Sequence, residues 1–346
     1  MPDREARLRL NPQVNISRST AIRMWMVFYC SFFTVIQSAV SDSGVSLIIA
    51  LAALIAAVLS ELLLTYSKYG FEKIKDGSAA ASALVLVLLL PNHIHPVYAA
   101  LGAVFAMVVV KFSFGGLGAN WMNPALGGWL FIRFSWPAAF IRALEDSPEY
   151  LPGAGSAIDQ TISDFLNRTV LPFFGAALPS GYIDLFAMKT PGIIADRAVL
   201  VLVAGTILIA AFQISRSWLS VVYLAVFGLL VRMAGDLPVG GVWWNGDVML
   251  ALLSGGTLVA AFILIADPSS GAKSVPGNIV LAVLAAVLSL IFRYFGGAFY
   301  GCFFAIALVN ALAPLLCGLE RRLLYSAKQA GNPVSDRNGA AKEGVI

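Results

Sequence analysis

Long apolar runs separated by short polar breaks recur from one end of the chain to the other. They cover 22–39, 46–65, 77–91, 96–112, 124–141, 197–214, 217–233, 247–266, 277–293 and 296–316. A helix needs about 20 apolar residues to cross a hydrocarbon core roughly 30 Å thick. The pattern therefore predicts an all-α polytopic membrane protein of about ten transmembrane helices. The third run is short and the fifth contains Arg133, so irregular elements are expected at those two. The first run follows an arginine-bearing tail, as a signal peptide would. No small-residue cleavage pattern follows Ile36, so 22–39 is read as the first span.

The composition agrees with this pattern and excludes a soluble fold. Apolar residues are 59% of the 346 and charged residues 12%, against roughly 45–50% and about 25% in a typical globular domain. Mean hydropathy is +0.83. Two histidines and three scattered cysteines (Cys30, Cys302, Cys317) exclude a disulfide scaffold and an iron–sulfur centre of the chain's own. The net charge of +4 reads as topology rather than nucleic-acid binding. With the N-terminus inside, most Lys and Arg fall on inside segments: the N-terminal arginines, Lys68, Lys73, Lys75, Lys111, Arg216, Lys273 and the C-terminal cluster. Outside segments hold Arg142, Arg168, Lys189, Arg197, Arg232 and Arg293, mostly in one long loop that translocates regardless of charge. Both termini are thus expected on the cytoplasmic side.

These boundaries divide the chain into a cytoplasmic tail (1–21), five helices (22–141), an outside loop (142–196), five more helices (197–316) and a cytoplasmic C-terminal tail (317–346). The loop carries several acids, but its Phe and Leu content argues against full disorder. The two helical halves echo each other. Asp76-Gly77-Ser78 in one corresponds to Ser254-Gly255-Gly256-Thr257 in the other. Lys111 with Phe114-Gly115-Gly116 corresponds to Arg293 with Phe295-Gly296-Gly297, and Asn123-Pro124-Ala125 to Asn310-Ala311 with Pro314. Five helices per copy is odd, so the copies would be inverted repeats, which place their sites near the pseudo-two-fold axis at broken helices. Shared Gly/Ala-rich composition is the plainer explanation of the echo.

Several residues could carry chemistry. Gly115, Gly116, Gly118, Asn120 and Asn123 lead into a helix opened by Asn123-Pro124, an N-cap with proline at N1. Free N–H groups at such a terminus suit a phosphate or the carbonyl edge of a flavin; a tight inter-helix turn accounts for the same glycines. Ser254, Gly255, Gly256 and Thr257 suit a mirrored half of that cradle, or close helix packing. Glu61 lies about one turn inside the end of the second span, as an ion or proton site or as a partner for Lys68. Asp76 and Asp267 are further candidates for ion handling. Arg133, deeper in a span, calls for a ligand or an internal acid. His93 and His95 form an HxH with no further ligand nearby, so no metal site is expected.

Taken together, the run Asp76-Gly77-Ser78 through Phe114-Gly115-Gly116-Leu117-Gly118-Ala119-Asn120-Trp121-Met122-Asn123-Pro124-Ala125 resembles the RnfD component of Rnf-type ion-translocating electron-transport complexes. It also resembles the NqrB component of the sodium-pumping NADH:quinone reductase. Ile183-Asp184-Leu185-Phe186 with Pro191-Gly192, Leu253-Ser254-Gly255-Gly256, Ala266-Asp267-Pro268, Phe295-Gly296-Gly297 and Asn310-Ala311-Leu312 extend the likeness over nearly all of 20–320. The resemblance implies an electron-transfer subunit in a bacterial inner-membrane complex, with the other Rnf-type subunits and membrane lipid as partners. It implies an FMN attached through its phosphate to a loop threonine, a possible riboflavin, and translocation of Na+ or H+. The family's attachment motif reads Ser/Thr-Gly-Ala-Thr; here the loop reads Ser156-Ala157-Ile158-Asp159-Gln160-Thr161, and only Thr161 matches. Ile194-Ala195-Asp196-Arg197 likewise stands where the family has a Gly-Glu-Thr stretch. A solute carrier, or a cofactor-free scaffold subunit on the same inverted-repeat fold, is the alternative reading.

Overall fold

The computed structural model describes residues 20–69, 72–116, 120–145, 156–169, 171–174, 178, 181–186, 192–211, 217–267, 271 and 274–330. Each of the ten apolar runs carries helix. In the first half these are α1 (Thr20–Ser41), α2 (Val45–Tyr69), α3 (Ser78–Leu89), α4 (Pro96–Phe105) and α5 (Pro124–Ser135). Then come α6 (Pro137–Glu145), α7 (Ala157–Thr169) and α8 (Tyr182–Phe186), followed by α9 (Val199–Ala211) and α10 (Ser217–Ala234). The chain continues through α11 (Val248–Leu253), α12 (Thr257–Val259), α13 (Val275–Leu290) and α14 (Gly301–Ala330). Among the described residues, four stretches are long and apolar enough to cross a membrane: Val45–Ser67, Ser217–Ala234, Val275–Phe295 and Gly301–Leu319.

The faces of these helices are turned outward in the manner of a lipid-embedded protein. On α2, Leu47, Leu51, Ile55, Leu59 and Leu63 repeat every four residues and are exposed, while Ile49, Ala53 and Ala57 are buried. One face is therefore aliphatic and outward, and the small residues point inward, where they let backbones approach. α3 has no outward face: Ser78, Ala79, Ala81 and 83–89 are all buried. An apolar helix without a polar stripe belongs at the centre of a bundle, and α3 packs against α1, α2 and α5. Across the bundle, Trp129 of α5 meets Phe303 and Phe304 of α14 edge-on, at ring distances of 5.1 and 5.0 Å.

Prolines and glycines mark where helices break. The run 124–141 reads as one span by hydropathy, but it divides at Trp136, whose backbone leaves the helical region one residue before Pro137. The run 247–266 divides at Ser254-Gly255-Gly256. Among the described residues, three segments widen into π-helical turns: Ala106–Phe112, Ala260–Ile265 and Ile291–Phe295. Such turns are uncommon and cluster at functional positions. At the end of α3 the chain is extended and pairs with the entry to α9: Ile194 N–H donates to Leu90 O at 3.0 Å, and Pro91 and Ile193 form an antiparallel bridge.

The described part of 142–196 is folded. Asp159, buried in α7, accepts hydrogen bonds from the backbone N–H groups of Gly181 (2.6 Å), Ile183 (2.8 Å) and Asp184 (3.2 Å). Asp184 in turn accepts from the N–H and hydroxyl of Ser156, each at 2.7 Å. Tyr182 donates its hydroxyl to Asp247, which also caps α11 through Leu250 N–H at 3.0 Å.

Candidate functional site

Two interior cations, Lys111 buried and Arg293 half-buried, each stand in a π-helical turn. Lys111 reaches Glu61 Oε1 and Ser78 Oγ, both at 2.6 Å. Lys111 and Glu61 are each 1% exposed. Ser78 opens α3, and it follows Gly77, whose φ of 69° only glycine adopts easily. Asp76 Oδ1 accepts from the Ser78 hydroxyl at 2.6 Å and from its N–H at 2.8 Å. Asp76, Ser78, Lys111 and Glu61 thus form one continuous polar chain.

Arg293 does the corresponding work in the second half. Its Nη1 donates to Ala251 O (2.7 Å), Thr257 Oγ1 (2.9 Å) and Ser254 O (3.1 Å), and its Nη2 to Ser254 Oγ (2.7 Å). Thr257 opens α12 behind Gly256, at φ 71°. The N–H of Gly256 donates to Asp196, at 2.9 Å to Oδ1. One cation, one hydroxyl at a helix start and one left-handed glycine therefore recur in both halves.

These contacts sort the residues singled out from sequence. Glu61 pairs with Lys111; the side chain of Lys68 lies outside the described residues. Lys111, an inside-segment charge by its place in the sequence, is fully buried. The hydroxyls of Ser254 and Thr257 are engaged by Arg293 and by backbone carbonyls of Leu250, Ala251 and Ser254. A Cβ on Gly255 would fall 2.8 Å from Phe299 O, and one on Gly256 would fall 2.4 Å from Phe303 Cζ. The space beside these two glycines is therefore taken by Arg293, Phe299 and Phe303, and the segment holds the guanidinium.

The first-half segment is different. Gly116, at φ +93°, has nothing within 4 Å of where a Cβ would stand, and Gly115 is exposed. Gly118 lies outside the described residues. Asn120 is 5% exposed; with its amide nitrogen facing the acceptors it donates to Gly116 O (3.0 Å) and Lys111 O (3.2 Å). Asn123 caps α5 by accepting from Ala125 N–H at 3.0 Å, with Pro124 following. Its amide also donates to Asp267 Oδ2 at 2.7 Å. Gly116 is itself buried, so exposed Gly115 and the capped helix start are the features that suit a planar ring or a phosphate.

Thr161 sits on the exposed face of α7, donating its hydroxyl to Ala157 O at 2.7 Å. Arg133 places its guanidinium 5.4 Å from the centre of the Phe140 ring. His93 is exposed, and His95 accepts from Val97 N–H as the cap of α4. No group of three metal-binding side chains occurs among the described residues. Hydropathy alone misses Lys111, Arg293 and Asp196 as interior residues. The signal that points to the two cations is that each stands just before a Phe-Gly-Gly, Lys111 before Phe114-Gly115-Gly116 and Arg293 before Phe295-Gly296-Gly297; Asp196 has no such signal.

Residues 7–325 match the NQR2, RnfD, RnfE family. The D-type subunit of a proton-translocating ferredoxin:NAD(+) oxidoreductase complex from Clostridium ljungdahlii is 27% identical over 307 residues, covering 88% of this chain and 92% of the relative. The D-type subunit of an ion-translocating oxidoreductase complex from Shewanella sediminis is 28% identical, over 92% of this chain and 98% of its own. A Na(+)-translocating counterpart from Acetobacterium woodii is 26% identical, over 73% and 74%. With its outward aliphatic faces and its match across nearly the whole length, this multi-pass membrane protein belongs to the NQR2, RnfD, RnfE family.

Proposed function

We propose that the chain is the D-type membrane subunit of an ion-translocating oxidoreductase complex, carrying electrons between flavins while Na+ or H+ crosses the membrane. The observation that carries this reading is the family match over residues 7–325. Relatives named for proton and for sodium translocation are 27% and 26% identical, and either ion fits this reading.

The architecture that goes with this function is ten spans in two inverted five-helix repeats, in the bacterial inner membrane with both termini cytoplasmic. The paired arrangements Lys111–Ser78–Gly77 and Arg293–Thr257–Gly256 support the repeat. The distribution of Lys and Arg supports the orientation.

A non-covalent flavin is assigned to Gly115, Gly116, Gly118, Asn120 and Asn123. Ser254 through Thr257 act there indirectly, by fixing Arg293. Bound flavin supplies one- and two-electron redox chemistry; the protein supplies its position and surroundings. Asn123 fixes the helix start that would face the ligand and ties it to Asp267 in the other half. Thr161 is the attachment residue for FMN, since its hydroxyl is outward on an ordered helix. Glu61, Asp76 and Asp267 handle the ion, the first two through the chain that joins them.

The test is the visible spectrum of the intact complex, with redox-driven cation uptake into proteoliposomes. Flavin absorbance and uptake are expected together. An intact complex that lacks both would overturn the reading.

A further inference from the structure

The Lys111–Glu61 pair raises a question that topology does not answer. A buried ion pair is a weak structural device, because an apolar pair of the same volume often stabilises as well or better. Lys111 stands in an uncommon π-helical turn, and Glu61 meets it from α2. Glu61 also has one oxygen, Oε2, that is buried and has no hydrogen-bond partner. Ionised carboxylates accept several hydrogen bonds, so an idle oxygen beside a 1%-exposed ammonium is a coordination position left open. The ammonium in turn has a second acceptor in the Ser78 hydroxyl, which leads to half-buried Asp76.

We propose that Lys111 is a tethered resident cation at an ion-exchange site. Its ammonium compensates Glu61 when no transported ion is present. The incoming monovalent cation takes Glu61 from the Oε2 side, and the ammonium withdraws toward Ser78 and Asp76. Charge at Glu61 is balanced in both states, so the carboxylate is never left buried alone. No bond is made or broken beyond the exchange of one cation for another. The mechanism rests on the ion-translocating function proposed above and assigns Lys111 a part in it.

The experiment uses the whole complex in proteoliposomes, with wild type, Glu61→Gln/Lys111→Met and Lys111→Arg. Sodium uptake and internal acidification are followed separately, with a sodium ionophore and a protonophore as controls, so the source of the cation is identified. Wild-type complex that takes up neither ion defeats the translocation reading itself. Given wild-type uptake, the neutral double variant is expected to assemble with full subunit and flavin content but to lose redox-driven uptake. Uptake at the wild-type rate would make the pair structural and overturn the proposal. If the double variant does not assemble, Lys111→Arg decides. A guanidinium keeps the charge but grips both carboxylate oxygens, so half-saturation should require more of the transported cation. An unchanged half-saturation would overturn the proposal.

Discussion

Asn123 donates its side-chain amide to Asp267 at 2.7 Å, joining residues 144 positions apart in the chain. The same side chain caps α5 through Ala125 N–H. One residue therefore sets the start of a helix and pins it to the end of the broken helix in the other half.

The two duties can be separated by substitution. Asn123→Ser keeps a capping oxygen and loses the tie, whereas Asn123→Ala loses both. A cap is worth about 1 kcal/mol and a hydrogen bond to a charged group about 1.5–3 kcal/mol. Asn123→Ser should lower stability by about 1.5–3 kcal/mol and Asn123→Ala by about one more. Thermal unfolding of the solubilised complex reads both. Equal losses would mean that the cap contributes nothing.

Gly116 and Gly256 share a left-handed backbone but not their surroundings. An alanine at Gly116 meets only the backbone penalty, about 1–2 kcal/mol, because its Cβ has open space. At Gly256 the same change adds a collision with Phe303, and about 2–5 kcal/mol is expected in all. Bound flavin, measured by absorbance per complex, should fall for Gly116→Ala beyond what its mild instability explains. Full flavin content in that variant would move the cradle away from Gly116.

Arg293 holds Ser254 and Thr257 with a planar fork that an ammonium cannot copy. Arg293→Lys should therefore lose at least two of the contacts and cost about 2–3 kcal/mol, read as a lower unfolding temperature. A variant as stable as wild type would show that the fork is dispensable.

Thr161→Ala should abolish a fluorescent flavin band that survives denaturing electrophoresis, and Thr161→Ser should keep it. A band that persists in the alanine variant would place the attachment elsewhere. The neighbours of Thr161 are engaged in local structure. Asp159 anchors three backbone N–H groups and Ser156 binds Asp184. Asp159, two residues before Thr161, therefore serves the fold of the loop.

What the sequence by itself determined is local. Twenty-residue apolar runs become helices because backbone polar groups in lipid must be satisfied within the segment. Asn123-Pro124 starts α5 because a capping oxygen and a proline at N1 act over two or three residues. Pro137 and Gly255-Gly256 carry the breaks too, although hydropathy averaging smooths over them. The tertiary structure alone decided which charges meet. Lys111 looks like a loop lysine until α2 and α3 bring Glu61 and Ser78 to it from 50 and 33 positions away. Ser254 and Thr257 look like open hydroxyls until Arg293 arrives from 39 and 36 positions away. Partners that far apart leave no periodic trace in the chain, because a hydrogen bond depends on distance in space and not on separation in sequence.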